Sequence, residues 1–146
     1  GTNYDFYVTA VDAAGNESNP SNTQNISTLS GSSTITIITT STSSTWTPIR
    51  IFNNGLPLRW EVTGGVNVAE EAFSGNTWPS YDMSGNTGAA IVTISSDDDF
   101  LGLTQMDIRS LSISSLDVTK ASQLTSLSAF TNNLTLLDVR FTKDVI

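Results

Sequence analysis

The sequence contains neither cysteine nor histidine. Disulfide frameworks, thiol nucleophiles, Cys/His zinc sites and Ser-His-Asp triads are therefore excluded. Charge is also scarce, since 14% of the residues are charged, against about 25% in an ordinary soluble domain. Serine, threonine and asparagine supply the polarity instead. Because threonine favours strands while serine and asparagine favour turns, this composition is typical of exposed β-structure.

Positive charge is the scarcer sign, with 6 Lys and Arg residues against 14 Asp and Glu residues and a net charge of −8. The chain therefore lacks the basic footprint of a nucleic-acid-binding protein, and no nucleic-acid partner is expected. Attraction to an anionic membrane surface is equally disfavoured. No signal peptide is recognisable and no apolar run approaches the length of a membrane span, so no membrane insertion is expected.

Residues 1–30 predict a β-hairpin. Apolar residues alternate with more polar ones from Tyr4 to Ala10, which is typical of a strand with one buried face. The stretch "DAAGNES" that follows is rich in turn formers. The stretch "SNTQNISTL" is the predicted returning strand.

The stretch "GTNYDFYVTAVDAAGNESNPS" resembles the last two strands of a fibronectin type III domain. Tyr4 matches the tyrosine that begins the penultimate strand and forms a tyrosine corner in that family. Val8, Ala10 and Asp12 match the V-x-A-x-D pattern that follows it. The resemblance implies an incomplete domain with a spacer role, whose other strands lie upstream or come from a neighbouring chain.

The middle of the chain predicts a short linker at residues 31–33 and a β-rich capping region at residues 34–100. We expect four short strands there and no helix. One covers residues 34–40 and another residues 89–95. Between them, two alternating runs flank Asn53-Asn54-Gly55, and Asn-Gly is a strong hairpin signal because both residues tolerate positive φ. Alternation is poor over residues 64–84, which predicts a loop.

Aromatic residues concentrate in the same region, and two interpretations of them compete. One is core filling, because aromatic side chains dominate core burial. The other is an aromatic platform on which sugars stack. Trp78 and Tyr81 are the candidate ligand-binding residues, because "SGNTWPSYD" resembles a loop and loops often carry binding residues.

A repeat with a 21-residue period begins at Leu103. The stretches "LTQMDI", "ISSLDV", "LTSLSA" and "LTLLDV" all fit L-x-x-L-x-V, with Met, Ile or Ala substituted. Stacked repeats bury such positions against their neighbours and form a continuous core. The predicted core residues of the repeats are Leu103, Met106, Ile108, Ile113, Leu116, Val118, Leu124, Leu127, Leu134, Leu137 and Val139.

The spacing resembles the leucine-rich repeat, whose pattern is L-x-x-L-x-L-x-x-N-x-L. "LTSLSAFTNNL" matches it with Asn132 at the asparagine site, where the side chain is expected to turn inward and bond backbone groups. The unit is similar to those of a bacterial surface leucine-rich-repeat family. Because half a period leaves too little room for a helix, we predict a β-solenoid. The repeats span residues 101–146 and are incomplete, with residues 34–100 as their cap.

Acidic residues supply the remaining candidate sites. Asp97, Asp98 and Asp99 could hold Ca²⁺, which takes six to eight oxygen ligands, or could form a solvated loop. No other cofactor is indicated. Asp107, Asp117 and Asp138 recur beside the repeat core and are expected to face outward, where they either line a ligand-binding face or keep the strands soluble. A repeat strip offers no cleft for an acid pair of the kind that glycosidases use, so no enzyme activity is expected.

The sequence therefore predicts an all-β protein: a fibronectin type III-like terminal hairpin, a β-rich cap and a leucine-rich-repeat β-solenoid. The function expected first is non-enzymatic adhesion or binding in a modular bacterial surface protein, outside the cell. The alternatives are a structural protein of a phage virion and an accessory module of a secreted carbohydrate-active enzyme. Expected partners are a protein or glycan at a surface, neighbouring modules of a longer chain, or copies in an assembly.

Overall fold

The computed structural model describes residues 3–22, 24–27 and 32–139. The protein is all-β, and these residues form eleven strands and no helix. The chain divides into two compact units, Gly1–Gly31 and Ser32–Ile146. The second unit includes both the region predicted as a cap and the described part of the repeats, so these two regions fold together.

The first unit contains an antiparallel hairpin of β1 (Asn3–Phe6) and β2 (Gln24–Ser27). Strand β1 ends earlier than the alternation predicts. Val8 is 73% exposed, so the predicted buried face is not formed there. Tyr4, the predicted tyrosine-corner residue, lies in β1, and its side chain is outside what the structure describes.

The turn of the first unit is organised by Asp12. Its carboxylate accepts hydrogen bonds from the backbone amides of Ala14 and Asn16, each at 2.9 Å, and from the Asn16 side-chain amide at 2.9 Å. These bonds, that from the Asn16 side chain first, lower the pKa of Asp12. Gly15 has a φ of +87°, a value that glycine adopts without steric cost.

The described residues of the second unit form two sheets. The strands are β3 (Ser33–Thr39), β4 (Arg50–Asn53), β5 (Leu58–Thr63), β6 (Val68–Phe73), β7 (Ala90–Ser96), β8 (Leu103–Asp107), β9 (Ile113–Asp117), β10 (Ser126–Ser128) and β11 (Leu136–Asp138). Strand order is β11-β9-β3-β7-β5-β6 in the six-stranded sheet and β10-β8-β4 in the three-stranded sheet.

The strands of the repeats stack in parallel with one constant offset. Leu127 of β10 lies opposite Met106 of β8, and Leu137 of β11 lies opposite Leu116 of β9. Both registers join residues 21 positions apart, the same interval as the sequence repeat. Each repeat therefore contributes one strand to each sheet.

The other side of the first repeat is covered by antiparallel strands from the preceding region. Strand β3 pairs with β9, and β4 pairs with β8. The first repeat thus lies between the capping strands and the second repeat in both sheets. Ser110 and Thr131, also 21 positions apart, both adopt a positive φ, 58° and 56°, so the bend between the sheets recurs at the same interval.

One hydrophobic core joins the two sheets of the second unit. Alternation decides which residues enter it: in β3, Ile35 and Ile37 are fully buried while their neighbours are not. Strand β5 buries Trp60 in the same way. Fully burying one large apolar side chain contributes about 1.5 to 3 kcal/mol, so such residues supply much of the driving force for folding.

Two predictions about the middle region are wrong. Asn53-Asn54-Gly55 is not a hairpin turn, because β4 pairs with β8 and β5 pairs with β6 and β7, so the flanking strands belong to different sheets. The region 64–84, predicted as a loop, contains β6 at the edge of the six-stranded sheet. The side chains of β6 are exposed or half-buried, which explains why apolar alternation did not reveal it.

Candidate functional site

A cavity of about 290 Å³ lies beside β4 on the second unit. We call it the Trp78 cavity. It is lined by Arg50, Ile51, Phe52, Asn76, Trp78 and Gln105. Phe52 and Gln105 are opposite each other on β4 and β8, so their side chains share the outer face of the three-stranded sheet. Ile51 points to the core and is 1% exposed.

The loop that carries Trp78 is held on both sides of this residue. Before it, the Asn76 side-chain oxygen accepts a hydrogen bond of 3.2 Å from the Asn53 backbone amide, which attaches the loop to the end of β4. After it, the Thr47 hydroxyl donates to the Pro79 carbonyl at 2.8 Å. Trp78 itself is half-buried and packs against the core. Its indole is thereby positioned at the cavity wall.

Tyr81, the other predicted ligand-binding residue, lies inside the core and is 4% exposed. Its ring stacks on Trp46, with ring centroids 6.4 Å apart and planes 15° apart. Burial, with a smaller contribution from the Glu71 carboxylate, raises the pKa of the Tyr81 phenol. In contrast to the prediction, Tyr81 therefore anchors the loop from within and does not offer its ring to a ligand.

The three consecutive acidic residues have different partners, and the first forms an ion pair. Arg59 Nη2 lies 2.6 Å from Asp97 Oδ2, and Arg59 Nε lies 3.6 Å from Glu70 Oε1. The hydrogen bond from Arg59 lowers the pKa of Asp97. The same pair raises the pKa of Arg59. Asp97 therefore connects the end of β7 to β5.

Asp98 joins two loops that pass very close to each other. Its carboxylate accepts a hydrogen bond of 2.8 Å from the Leu56 backbone amide and another from the Ser96 hydroxyl. A Cβ atom at Gly55 would lie 1.7 Å from the Leu101 carbonyl oxygen, so only glycine fits there. Asp98 thus stabilises the crossing of the 54–56 and 98–102 loops.

Asp99 accepts a hydrogen bond of 2.5 Å from the Ser33 hydroxyl. It lines a cavity of about 280 Å³ together with Lys120, whose ammonium disfavours a further cation nearby. Among the described residues, no three acidic side chains gather in a way that could hold a metal ion. Calcium binding by Asp97, Asp98 and Asp99 stays a prediction that this geometry does not favour.

Burial of the predicted repeat core declines from the first repeat to the second. Leu127 and Leu134 are half-buried and pack against the core. Leu137 is 47% exposed and Val139 is 39% exposed, since no described strand pairs with the outer side of β11. The buried members are Leu103, Met106, Ile108, Ile113, Leu116, Val118 and Leu124.

Asn132 turns inward and bonds four backbone groups. Its side-chain oxygen accepts from the amides of Leu111 and Ile113 at 2.9 and 3.1 Å. Its amide nitrogen donates to the carbonyls of Ile108 and Ala129, both at 2.9 Å. Three of these four groups belong to the preceding repeat, so Asn132 connects the bends of adjacent repeats.

Two of the recurring aspartates, Asp107 and Asp117, bond the turns after their strands. The Asp117 carboxylate accepts from the backbone amide and the hydroxyl of Thr119, at 2.9 and 2.7 Å. Asp107 Oδ2 forms an ion pair of 3.0 Å with Arg109, whose guanidinium lies 5.1 Å from the ring centroid of Phe130. Asp107 and Asp117 therefore have a structural role in these turns.

Sequence reasoning missed several residues that the structure brings together. Phe52 is one of the aromatic residues of the middle region, but Arg50, Asn76 and Gln105 belong to no sequence motif. Their proximity depends on the pairing of β4 with β8 and on the bond between Asn76 and Asn53. A second missed group is buried and polar. The Asn86 amide donates to the Thr39 and Ser41 carbonyls at 3.1 and 3.0 Å, which closes the end of β3. Asn86 is a single polar residue in a Gly-rich turn, so the sequence did not indicate that its side chain would be buried against the end of β3.

Comparison with known proteins gives no match to any family model, to any curated protein or to any solved structure. The described part of the chain has no helix long and apolar enough to cross a membrane.

Proposed function

We propose that this chain is a non-enzymatic binding or adhesion segment of a modular bacterial surface protein and that it acts outside the cell. The observation that carries the proposal is the 21-residue register shared by two sheets. Such a register stacks repeats along one direction, and stacked repeats present the extended surfaces that bind macromolecules. The partner is a protein or a glycan at a surface.

In this proposal the second unit contains leucine-rich repeats of a β-solenoid, with residues 34–100 as their cap. The inward Asn132 and the recurring left-handed bends support it. The first unit is a fibronectin type III-like hairpin that serves as a spacer between modules. Its separation as a compact unit supports this role.

A non-enzymatic role is supported by the uses that the structure gives to acidic side chains. Asp97 binds Arg59, Asp98 joins two loops, and Asp117 bonds the turn after β9. An accessory module of a carbohydrate-active enzyme is the second candidate, and the Trp78 cavity is the observation that favours it. Both candidates require binding without catalysis.

Adhesion is tested with beads that carry the chain and flow over surfaces coated with mucin, collagen, fibronectin or albumin. We expect retention on at least one of the first three surfaces above the albumin level. Beads that carry a Leu116→Asp variant, whose core is broken, should not be retained. Equal retention of both kinds of beads, or of neither, would count against the proposal.

Assembly size separates this proposal from a virion component. Light scattering on the native protein should give a monomer for a surface-protein segment. A large multimer of defined size would instead favour the virion and overturn the proposal.

A further inference from the structure

We propose that the Trp78 cavity binds a sugar residue of a neutral glycan. The rings of Trp78 and Phe52 contact the face of the sugar, and Arg50, Asn76 and Gln105 bond its hydroxyls. This inference rests on the proposed binding function and names the chemistry of its ligand.

The composition of the cavity matches the chemistry of a pyranose ring. The ring has an apolar face of C–H groups and a border of hydroxyls, each of which donates and accepts hydrogen bonds. Aromatic rings offer a flat apolar surface to that face. The amides of Asn76 and Gln105 also donate and accept, so both can pair with hydroxyls whichever way these point.

The polar groups of the cavity are available to a ligand. Arg59 and Arg109 are held in ion pairs, whereas Arg50 forms no ion pair with any described residue. Asn76 uses its oxygen on the Asn53 amide, and its nitrogen has no partner in the described part of the chain. The Gln105 side chain is exposed and bonds no residue that the structure describes.

The size of the cavity, the rigidity of its loop and the charge of the chain further restrict the class of ligand. A volume of about 290 Å³ is at the low end for ligand cavities and suits one or two sugar rings. Because the loop is already fixed on both sides of Trp78, binding loses little conformational entropy. The net charge of −8 disfavours polyanionic glycans, which is why we specify a neutral one.

The three tryptophans make the test selective. Trp46 and Trp60 are buried, at 1% and 0% exposure, while Trp78 is half-buried at the cavity wall. Acrylamide should therefore quench the fluorescence of Trp78 selectively. We would titrate the native protein with cellobiose, maltose, lactose and N,N′-diacetylchitobiose. Saturation-transfer NMR would record contact with each disaccharide, and acrylamide quenching would record shielding of Trp78.

At least one disaccharide is expected to receive saturation and to protect Trp78 from acrylamide. Trp78→Ala should weaken its binding at least about tenfold, as for a central aromatic anchor. Gln105→Ala, at an exposed position that does not endanger folding, should weaken it about three- to tenfold. Phe130→Ala is the matched control, because this exposed aromatic (57%) does not line the cavity, and it should leave affinity unchanged.

The sugar site is overturned if none of the disaccharides protects Trp78, or if the Phe130 and Trp78 variants lose affinity equally. The bead assay distinguishes failure of the sugar site from failure of the proposed binding function. Retention of native beads without Trp78-dependent sugar binding removes the sugar site alone. Absence of both retention and sugar binding removes the binding function as well.

Discussion

Asn132 connects the bends of the two described repeats with its side chain. Four backbone groups of two successive bends meet at one carboxamide. An amide suits this position because it is the smallest side chain that both donates and accepts twice. The first repeat has Leu111 at the equivalent position, and there Trp46 Nε1 and the Thr39 hydroxyl bond the Leu111 carbonyl at 3.1 and 2.7 Å.

Asn132→Ala is expected to lower the free energy of unfolding by about 2 to 3 kcal/mol, because partly buried backbone groups lose their partners. Urea denaturation measures the loss. Hydrogen exchange should also accelerate at the Leu111 and Ile113 amides, which bond the Asn132 oxygen.

The adjacent Asn133 provides the control for this substitution. It is exposed, and its bond to the Ile113 carbonyl comes from its backbone amide. Asn133→Ala should therefore change the free energy of unfolding by less than about 0.5 kcal/mol. Equal losses in the two variants would show that the inward amide is not what stabilises the bend.

The ion pair between Arg59 and Asp97 makes the stability of the fold depend on pH. Arg59 lowers the pKa of the Asp97 carboxyl from its ordinary value of 3.8. The ion pair therefore stabilises the fold at pH values above 3.8. The stability is lost as the pH falls through the lowered pKa. In an NMR titration, Arg59→Gln should bring the pKa of Asp97 back toward 3.8. Arg109→Gln should leave it unchanged, and an equal effect of both variants would contradict the assignment.

At the scale of strands, alternation of buried and exposed side chains predicted β3 and β7, but it did not reveal which strands pair. The predicted strands at 34–40 and 89–95 correspond within a residue to β3 and β7, because both bury one face. The Asn-Gly turn was misassigned because a local signal does not reveal which strands will pair. The side-chain amide of Asn53 donates a hydrogen bond of 2.9 Å to the Leu56 carbonyl there, which holds the bend of the chain.

Leu116 and Leu137 occupy the same position in successive repeats and test the stacking of strands. Leu116 is fully buried, whereas Leu137 is 47% exposed. Leu116→Ala should lower the free energy of unfolding by about 2 to 5 kcal/mol, since it leaves a cavity. Leu137→Ala should cost less than about 1 kcal/mol. Urea denaturation of the two variants compares them, and similar costs would contradict the burial gradient along the stack.

For the whole molecule, stability is concentrated in the second unit. Among the side chains that the structure describes, the buried residues of the hydrophobic core lie between Ile35 and Leu124. An isolated two-stranded hairpin is marginally stable in water, so the first unit adds little by itself. The all-β class and the repeat period followed from composition and spacing. The pairing of β3 with β9 and of β4 with β8 did not, because contacts between distant strands leave no mark on spacing.

Residues 32–146 should therefore fold without the first unit. The fragment is expected to match the free energy of unfolding of the full chain within about 0.5 kcal/mol, as measured by urea denaturation. Limited proteolysis of the full chain should cut first near residue 31 and leave this fragment intact. Loss of cooperative unfolding in the fragment would show that the hairpin belongs to the same folding unit.

The shared register of the two stacked sheets restricts how the length of the repeat region can change. Removing or inserting 21 residues returns every strand to an equivalent partner. A change of one residue more or fewer would shift one strand by a position and send its apolar side chains to the opposite face. Functional variants of this region should therefore differ in length by whole multiples of the repeat, so that its reach grows in discrete steps.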